Sequence, residues 1–350
     1  METSTKPNEP RRALDLWFED GNLVIQAGTS QFRVYRGILA ARSSIFQDML
    51  AFPQPPDSEV VEECPLVCLP DAESEVSDFL KAIFIPEYFP AFPALTTSDV
   101  IVGCLRLSHK YEVDYLRRRA LIHLSSRYRT TLAEFDSRVC SSPDSAPSKA
   151  MSWPWPDVPT FTLCVIQLAR EVDALWVLPL AFYDLSTGCN MPKDSPKPRI
   201  GREIFHGAVH NGLPTSLSAQ DQDSFLQGHT IHTRAAAGDI MRFLSHPQDI
   251  EGCTSPVRCL AVRLEALEKH RADVAALSHI PLRVWGPDNW KKLEDVCPAC
   301  LAGLKSTHAK AREAFWDDLP NMYGLPSWKE LRQMWVAAIG NSLLCSRHLA

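Results

Sequence analysis

Cys297-Pro298-Ala299-Cys300 is the grouping in this sequence best equipped to do chemistry. A C-x-x-C turn brings two thiolates close enough to share one metal ion, and a proline between them stiffens the knuckle. Tetrahedral zinc takes four such ligands, commonly as two close pairs. Cys253 and Cys259 are the best second pair, with His308, Cys345 and His348 in reserve. A site made of Cys253, Cys259, Cys297 and Cys300 would be structural, pinning the loop near residue 253 to a helix expected from about Leu301. Two other readings stand beside structural zinc. Free cysteines are often small buried hydrophobes. A redox C-x-x-C belongs at a strand-to-helix turn, and no βαβ pattern surrounds this one.

Catalytic groupings are lacking. The sequence contains no G-x-S-x-G, P-loop, G-x-G-x-x-G or H-E-x-x-H. His206 and His210 have the i, i+4 spacing of helical metal ligands but lack the Glu base, and Gly207 weakens a helix there. His229 and His232 read as caps and surface groups near a helix start at Thr230 or Thr233. Asp317 and Asp318 are adjacent and so point to different faces of a helix. No nucleophile meets a base, and no enzyme activity is expected.

The elements that would position these groups come from a chain of 350 residues, long enough for two ordinary domains. Hydrophobic residues at 45% and charged ones at 22% give the balance of a globular protein. A formal charge of -6 offers no counterion release to drive generic DNA binding, so nucleic acid is an unlikely partner. The polar start, with Pro7 and Pro10, has no apolar core of a signal peptide. Leu163 to Leu185 is apolar but interrupted by Arg170, Glu171 and Asp173, which reads as a buried helix rather than a membrane span. The expected location is therefore cytoplasmic or nuclear, not secreted, where the 11 cysteines stay thiols or bind metal.

Leu23-Val24-Ile25 and Phe32-Arg33-Val34-Tyr35 read as a hairpin around Gly28-Thr29-Ser30. Ile38, Leu39, Ile45, Phe46, Met49 and Leu50 make the apolar faces of two short helices, the second capped by Ser43 or Ser44. Leu66 to Leu69 is a further strand, and Glu73 to Ile85 an amphipathic helix with Val76, Phe79, Leu80 and Ile83 inward. Thr97 to Asp99 caps the next helix, and Asp114 the one after it. Arg117, Arg118 and Arg119 then read as a solvated helix face, with a phosphate site as the alternative. Prolines 143, 147, 154, 156 and 159 mark a linker, Met191 to Arg199 is a surface loop, and the rest is helical without a sheet. Phe315, Trp316, Trp328 and Trp335 read as core more than as a binding hot spot, and Ser327 with Glu330 as a capping box.

This order resembles the plan of a BTB/POZ domain. Phe18-Glu19-Asp20-Gly21-Asn22-Leu23-Val24-Ile25 and Phe32-Arg33-Val34-Tyr35-Arg36-Gly37-Ile38-Leu39-Ala40-Ala41-Arg42-Ser43-Ser44-Ile45-Phe46 look like its core pattern, carried by Asp20, Phe32, Val34, Tyr35, Leu39, Ser43 and Phe46. Leu105 to Tyr111 resembles the family's penultimate helix, and Tyr35 stands where the family usually has His. The whole chain is similar to fungal BTB proteins with a helical C-terminal half. The resemblance implies an α+β fold: a disordered tail over 1–13, a BTB/POZ unit of small sheet and helix hairpins over 14–135, a linker over 136–160 and a mainly α-helical domain over 161–350. It also implies docking of protein partners and homodimerisation through the N-terminal strand and first helix. Some members are substrate adaptors for cullin-type ubiquitin ligases and carry an apolar-x-Glu triplet, which Val60-Val61-Glu62 fits; a solvated acidic loop of Asp57, Glu59, Glu62 and Glu63 is the other reading. A BTB-containing transcription regulator with a metal-stabilised C-terminal module is the alternative function.

Overall fold

The computed structural model describes residues 9–52, 59–139, 153–154, 156, 159–189, 201–234, 236–245, 250–277 and 280–340. Its architecture is α+β, a curled sheet near the N-terminus followed by helices. Strands Arg11–Trp17 (β1), Leu23–Ala27 (β2), Ser30–Val34 (β3), Val60–Val61 (β4) and Cys64–Leu69 (β5) lie in the order β1-β3-β2-β5-β4. The hairpin expected from patterning pairs Leu23 with Val34 and Ile25 with Phe32, all buried. Its turn needs Gly28, whose φ is +53° and where a Cβ would sit 3.0 Å from the Glu73 carboxylate. That carboxylate fastens the turn by accepting from Thr29 N at 3.0 Å and Ser30 Oγ at 2.6 Å.

β1 moves the end of the expected tail over 1–13, because regular structure begins at Arg11, while residues 1–8 lie outside the described residues. Only Leu16 of this strand is fully buried, so no alternating apolar signal advertises it. Polar contacts hold it instead: Arg11 N donates to Thr29 O at 2.7 Å, Lys81 meets Asp15 at 2.7 Å, and Arg12 pairs with Glu62.

Helices Arg36–Arg42 (α1) and Ser44–Ala51 (α2) meet at Ser43, which is 2% exposed. Its hydroxyl accepts from Phe46 N at 3.0 Å and donates to the Tyr111 carbonyl. Losing both a cap and a tertiary bond, Ser43→Ala is expected to cost about 1–2 kcal/mol in urea denaturation; an unchanged midpoint would contradict this role. Leu39, Phe46 and Leu50 face the core as expected, but Ile38 and Ile45 are 42% and 38% exposed.

Helix Glu73–Phe84 (α3) packs on Ser98–Lys110 (α4), which packs on Asp114–Ser125 (α5). Thr97 caps α4 by accepting from Val100 N. Asp114 does not cap α5; it is the first helical residue, with Val113 in the cap position and no side-chain bond. Phe46, Phe79 and Tyr111 join the layers, with Phe46 stacked on Tyr111 at 4.7 Å.

Helices Leu132–Val139 (α6) and Pro159–Glu171 (α7) enter the expected linker from both ends. Most of that stretch lies outside the described residues, but Trp153 is buried and donates to His123 O at 2.8 Å. The helix expected over Leu163 to Leu185 is two helices, α7 and Leu178–Cys189 (α8), because Asp173 takes φ +59° between them. The loop expected at Met191 to Arg199 lies outside the described residues. A helix at Glu203–His206 (α9) leads to a small hairpin, Ala208–His210 (β6) and Leu213–Thr215 (β7), which corrects the expectation of no sheet here. Helices Ala219–Arg234 (α10), Ala236–Ser245 (α11), Pro256–Leu277 (α12), Pro298–Met322 (α13) and Trp328–Ile339 (α14) follow. Among the described residues no helix is long and apolar enough to cross a membrane.

The described parts of the two halves share one hydrophobic core. Trp176, 1% exposed, donates to Ser125 Oγ at 2.9 Å. The arginine triplet is partly solvated, Arg118 being exposed and Arg117 and Arg119 half-buried, but each guanidinium also has a backbone partner. Arg117 donates to Val172 O at 2.9 Å, Arg118 to Ile339 O at 2.9 Å, and Arg119 to Phe89 O. Val172 follows α7 and Ile339 ends α14, so two of the three guanidinium groups satisfy carbonyls that a helix C-terminus leaves without an internal partner. The four large aromatics are core: Trp316 stacks on Trp328 at 5.1 Å, and Phe315 and Trp335 are buried. Ser327 and Glu330 form the capping box of α14.

Candidate metal centre

Two helix starts bring four cysteines together. Cys253 lies in a turn just after Gly252, which has φ +79°. Cys259 sits in the first turn of α12, its N–H donating to Ser255 O at 2.9 Å. Cys297 is the N-cap of α13, and Pro298, with φ preset for a helix, starts it three residues earlier than the sequence suggested. That first turn swings Cys300 back beside Cys297. The four sulfur atoms lie within 4.8 Å of one another, close enough to hold one metal ion, and no other such group of His, Cys, Asp or Glu occurs among the described residues.

The surroundings favour a thiolate at Cys297 and oppose one at Cys259 and Cys300. Cys300 N donates to Cys297 Sγ at 3.5 Å, and Cys297 N donates to Cys259 Sγ at 3.3 Å. The N–H groups of Cys300 and Thr254 pull the Cys297 thiol down to about 6. Burial and the neighbouring thiols push Cys300 up. Four protons therefore do not leave together without a cation to take their place. Arg263, 4% exposed, is a buried cation near the cluster; burial lowers its pKa, while Cys300 and Cys259 oppose that shift. It donates to Phe243 O at 2.9 Å. Sequence reasoning missed it, since nothing in a helix pattern marks one arginine as inward.

The reserve ligands are not brought in. His308 packs against Phe243 and Trp290 at ring distances of 5.2 and 5.4 Å, and Cys345 and His348 lie outside the described residues. Burial holds His308 down to about 4. The unfolded chain takes up that proton at the ordinary histidine value of about 6.5, so its contribution is full above that pH and is lost as pH falls toward the folded value. His308→Phe is expected to flatten the stability curve across that window, read as urea midpoints; an unchanged slope would contradict it.

The other site residues hold structure. Phe32, Val34, Leu39 and Phe46 are core. Tyr35 is half-buried, rests on Phe18 at 5.0 Å and donates its hydroxyl to Asp20 Oδ1 at 2.6 Å. Asp20 thus serves as the acceptor for Tyr35. Val60 and Val61 form β4, Val60 being 65% exposed. Glu62 and Glu63, with φ of 48° and 67°, make the two-residue turn into β5, and Glu62 pairs with Arg12 and Arg33. Glu59, Glu62 and Glu63 are exposed, as the acidic-loop reading expects, with Glu62 paired as well, and Asp57 lies outside the described residues.

His206 and His210 fall as Gly207 led one to expect, whereas the pair at 229 and 232 does not. His206 ends α9 and His210 lies on β6, with Gly207 at φ +75° between them, so they share no helix face. His229 and His232 lie within α10 rather than at a helix start, and His232 is fully buried and stacked on Tyr183 at 4.9 Å. Comparison with protein-family models, with curated proteins and with solved structures finds nothing that matches this chain.

Proposed function

We propose that this chain is a non-enzymatic protein-interaction protein, in which a BTB/POZ-like N-terminal unit self-associates or docks a partner and a zinc-pinned helical half recognises a client. The observation that carries the reading is the element order β2–β3 hairpin, α1–α2, β5, α3, α4–α5, with Ser43 and Phe46 in cap and core roles. Apolar side chains left in water support it: Leu14 on β1 is 85% exposed, and Ile38 and Ile45 stand out from α1 and α2. Exposed apolar groups on an edge strand and adjoining helices suit association. In sedimentation velocity on the intact chain, Ile38→Glu with Ile45→Glu is expected to yield folded monomers. Unchanged association of that variant would overturn the reading.

Zinc is the metal that the donor set fits. Four thiolates are the ligands of a closed structural site, and bonds of about 2.3 Å in a tetrahedron set sulfur atoms about 3.8 Å apart. Cys253 and Cys297 are already 3.9 Å apart. Cys253, Cys259, Cys297 and Cys300 would hold the ion, which supplies cross-linking and no turnover.

Exposed Val60 favours one specialisation, the cullin substrate adaptor. Capture by a cullin N-terminal domain is expected to be lost in Val60→Asp; absence of capture by the wild-type chain would end this reading. Val60 is the better probe because Glu62 holds β1 and β3 through its arginine pairs.

A further inference from the structure

We infer that the cleft between α3, α4 and the β6–β7 hairpin binds a primary ammonium group. The inference does not depend on the interaction reading, because its wall includes neither the exposed Leu14, Ile38 and Ile45 nor any of the four clustered cysteines. A cavity of about 140 Å³ lies there, with Glu75 and Asp78 from α3, Asp99 and Arg106 from α4, and His210 from β6 in its wall.

The charge of the wall is negative. Arg106, the cation of the set, is committed to Glu75 and, at 2.8 Å, to Glu171. Asp78 accepts from the Tyr88 hydroxyl, and Asp99 accepts from Asn211 Nδ2 at 2.7 Å. A carboxylate has room for about four donors, so both retain acceptor capacity toward the cavity. Burial raises the Glu75 and Asp78 carboxyls, a cost that an arriving cation offsets.

His210 supplies the independent sign of a missing ligand. It is 9% exposed, and its Nε2 is buried with no hydrogen-bond partner. Burial keeps the imidazole neutral, and Nδ1 lies 3.4 Å from Thr160 Oγ1. Either tautomer fits the Thr160 contact; the one with its proton on Nδ1 leaves Nε2 as an acceptor, and a donor arriving at Nε2 selects it. An ammonium group brings three donors, no acceptor and the complementary charge. Val102 and Leu213 of the same wall suit a short methylene stem. An anion would meet the carboxylates with no uncommitted cation. A bare metal ion lacks a ligand set here, since the four cysteines are the one such group among the described residues.

The ammonium group has two sources, a free small amine or a lysine side chain of a peptide. Calorimetric titration of the intact chain with n-butylammonium chloride, 1-butanol and Nα-acetyl-lysine methylamide separates them. Saturable binding of n-butylammonium with none of 1-butanol is expected, weakened at least tenfold by Asp99→Asn and by His210→Phe. Tighter binding of the lysine derivative would assign the site to a peptide, and the reverse to a free amine. Asp99 is exposed, so its variant keeps the test valid if His210→Phe fails to fold. No saturation by either amine, equal binding of 1-butanol, or full affinity in Asp99→Asn would overturn the inference.

Discussion

Cys297→Ser is expected to carry no zinc and to lose about 4 kcal/mol of stability, the linkage supplied by a ligand present at about a thousand times its Kd. The substitution is well suited to isolating the metal. Cys297 occupies the N-cap of α13, where its sulfur accepts from Cys300 N. Serine is a preferred N-cap residue, so the helix start keeps its backbone partner while the fourth ligand is lost. Cys297 is also less buried than Cys259 or Cys300, which limits any packing loss. Native mass spectrometry reads the metal, and urea unfolding with and without chelator reads the stability. Chelation is expected to bring the wild type down to the variant and leave the variant unchanged. A wild-type chain without stoichiometric zinc, or a chelator that lowers both equally, would contradict the site. Because the ligands must be thiolates, zinc is also expected to leave as pH falls.

Trp176→Ala is expected to cost about 3–5 kcal/mol, the usual range for emptying a buried tryptophan site. The ring is 1% exposed, and its N–H is the partner of Ser125 Oγ, itself 2% exposed. Removal leaves both a cavity and a buried hydroxyl without its donor, and the second loss alone is worth about 1–3 kcal/mol. Trp176→Phe keeps much of the ring and should cost less. Because Trp176 belongs to the second half and Ser125 to the first, the whole chain should unfold in a single shifted step. Separate melting of two units, with only one displaced, would show that the shared core does not couple them.

The hairpin, Ser43, Thr97 and the Ser327–Glu330 box were legible because each is local: two short apolar runs around a polar glycine turn, or a cap acting on an N–H three positions away. The four cysteines were legible for the same reason. A helix start closes each short spacing, and only the meeting of the two pairs is tertiary. His308 was a poor reserve on geometry alone. Eight residues along α13 from Cys300 place it about 12 Å up the helix axis, at 1.5 Å per residue.

What escaped was tertiary. Nothing in Arg117-Arg118-Arg119 says that two distant helix ends will present carbonyls to them, and a charged run defaults to a solvated face. β1 carries one core residue and is held by ion pairs with partners 50 or more positions away. His232 is polar by type yet stacks within the core, and periodicity cannot reveal a partner such as Tyr183. The cleft draws its wall from α3, α4, α7 and the late hairpin, so no stretch of sequence contains its chemistry.

Light scattering on the purified intact chain tests the proposed docking role most directly. A mass of twice 39.2 kDa, or higher and concentration-dependent, is what association through the first-third unit predicts. A strictly single-chain mass up to high micromolar concentration would contradict it.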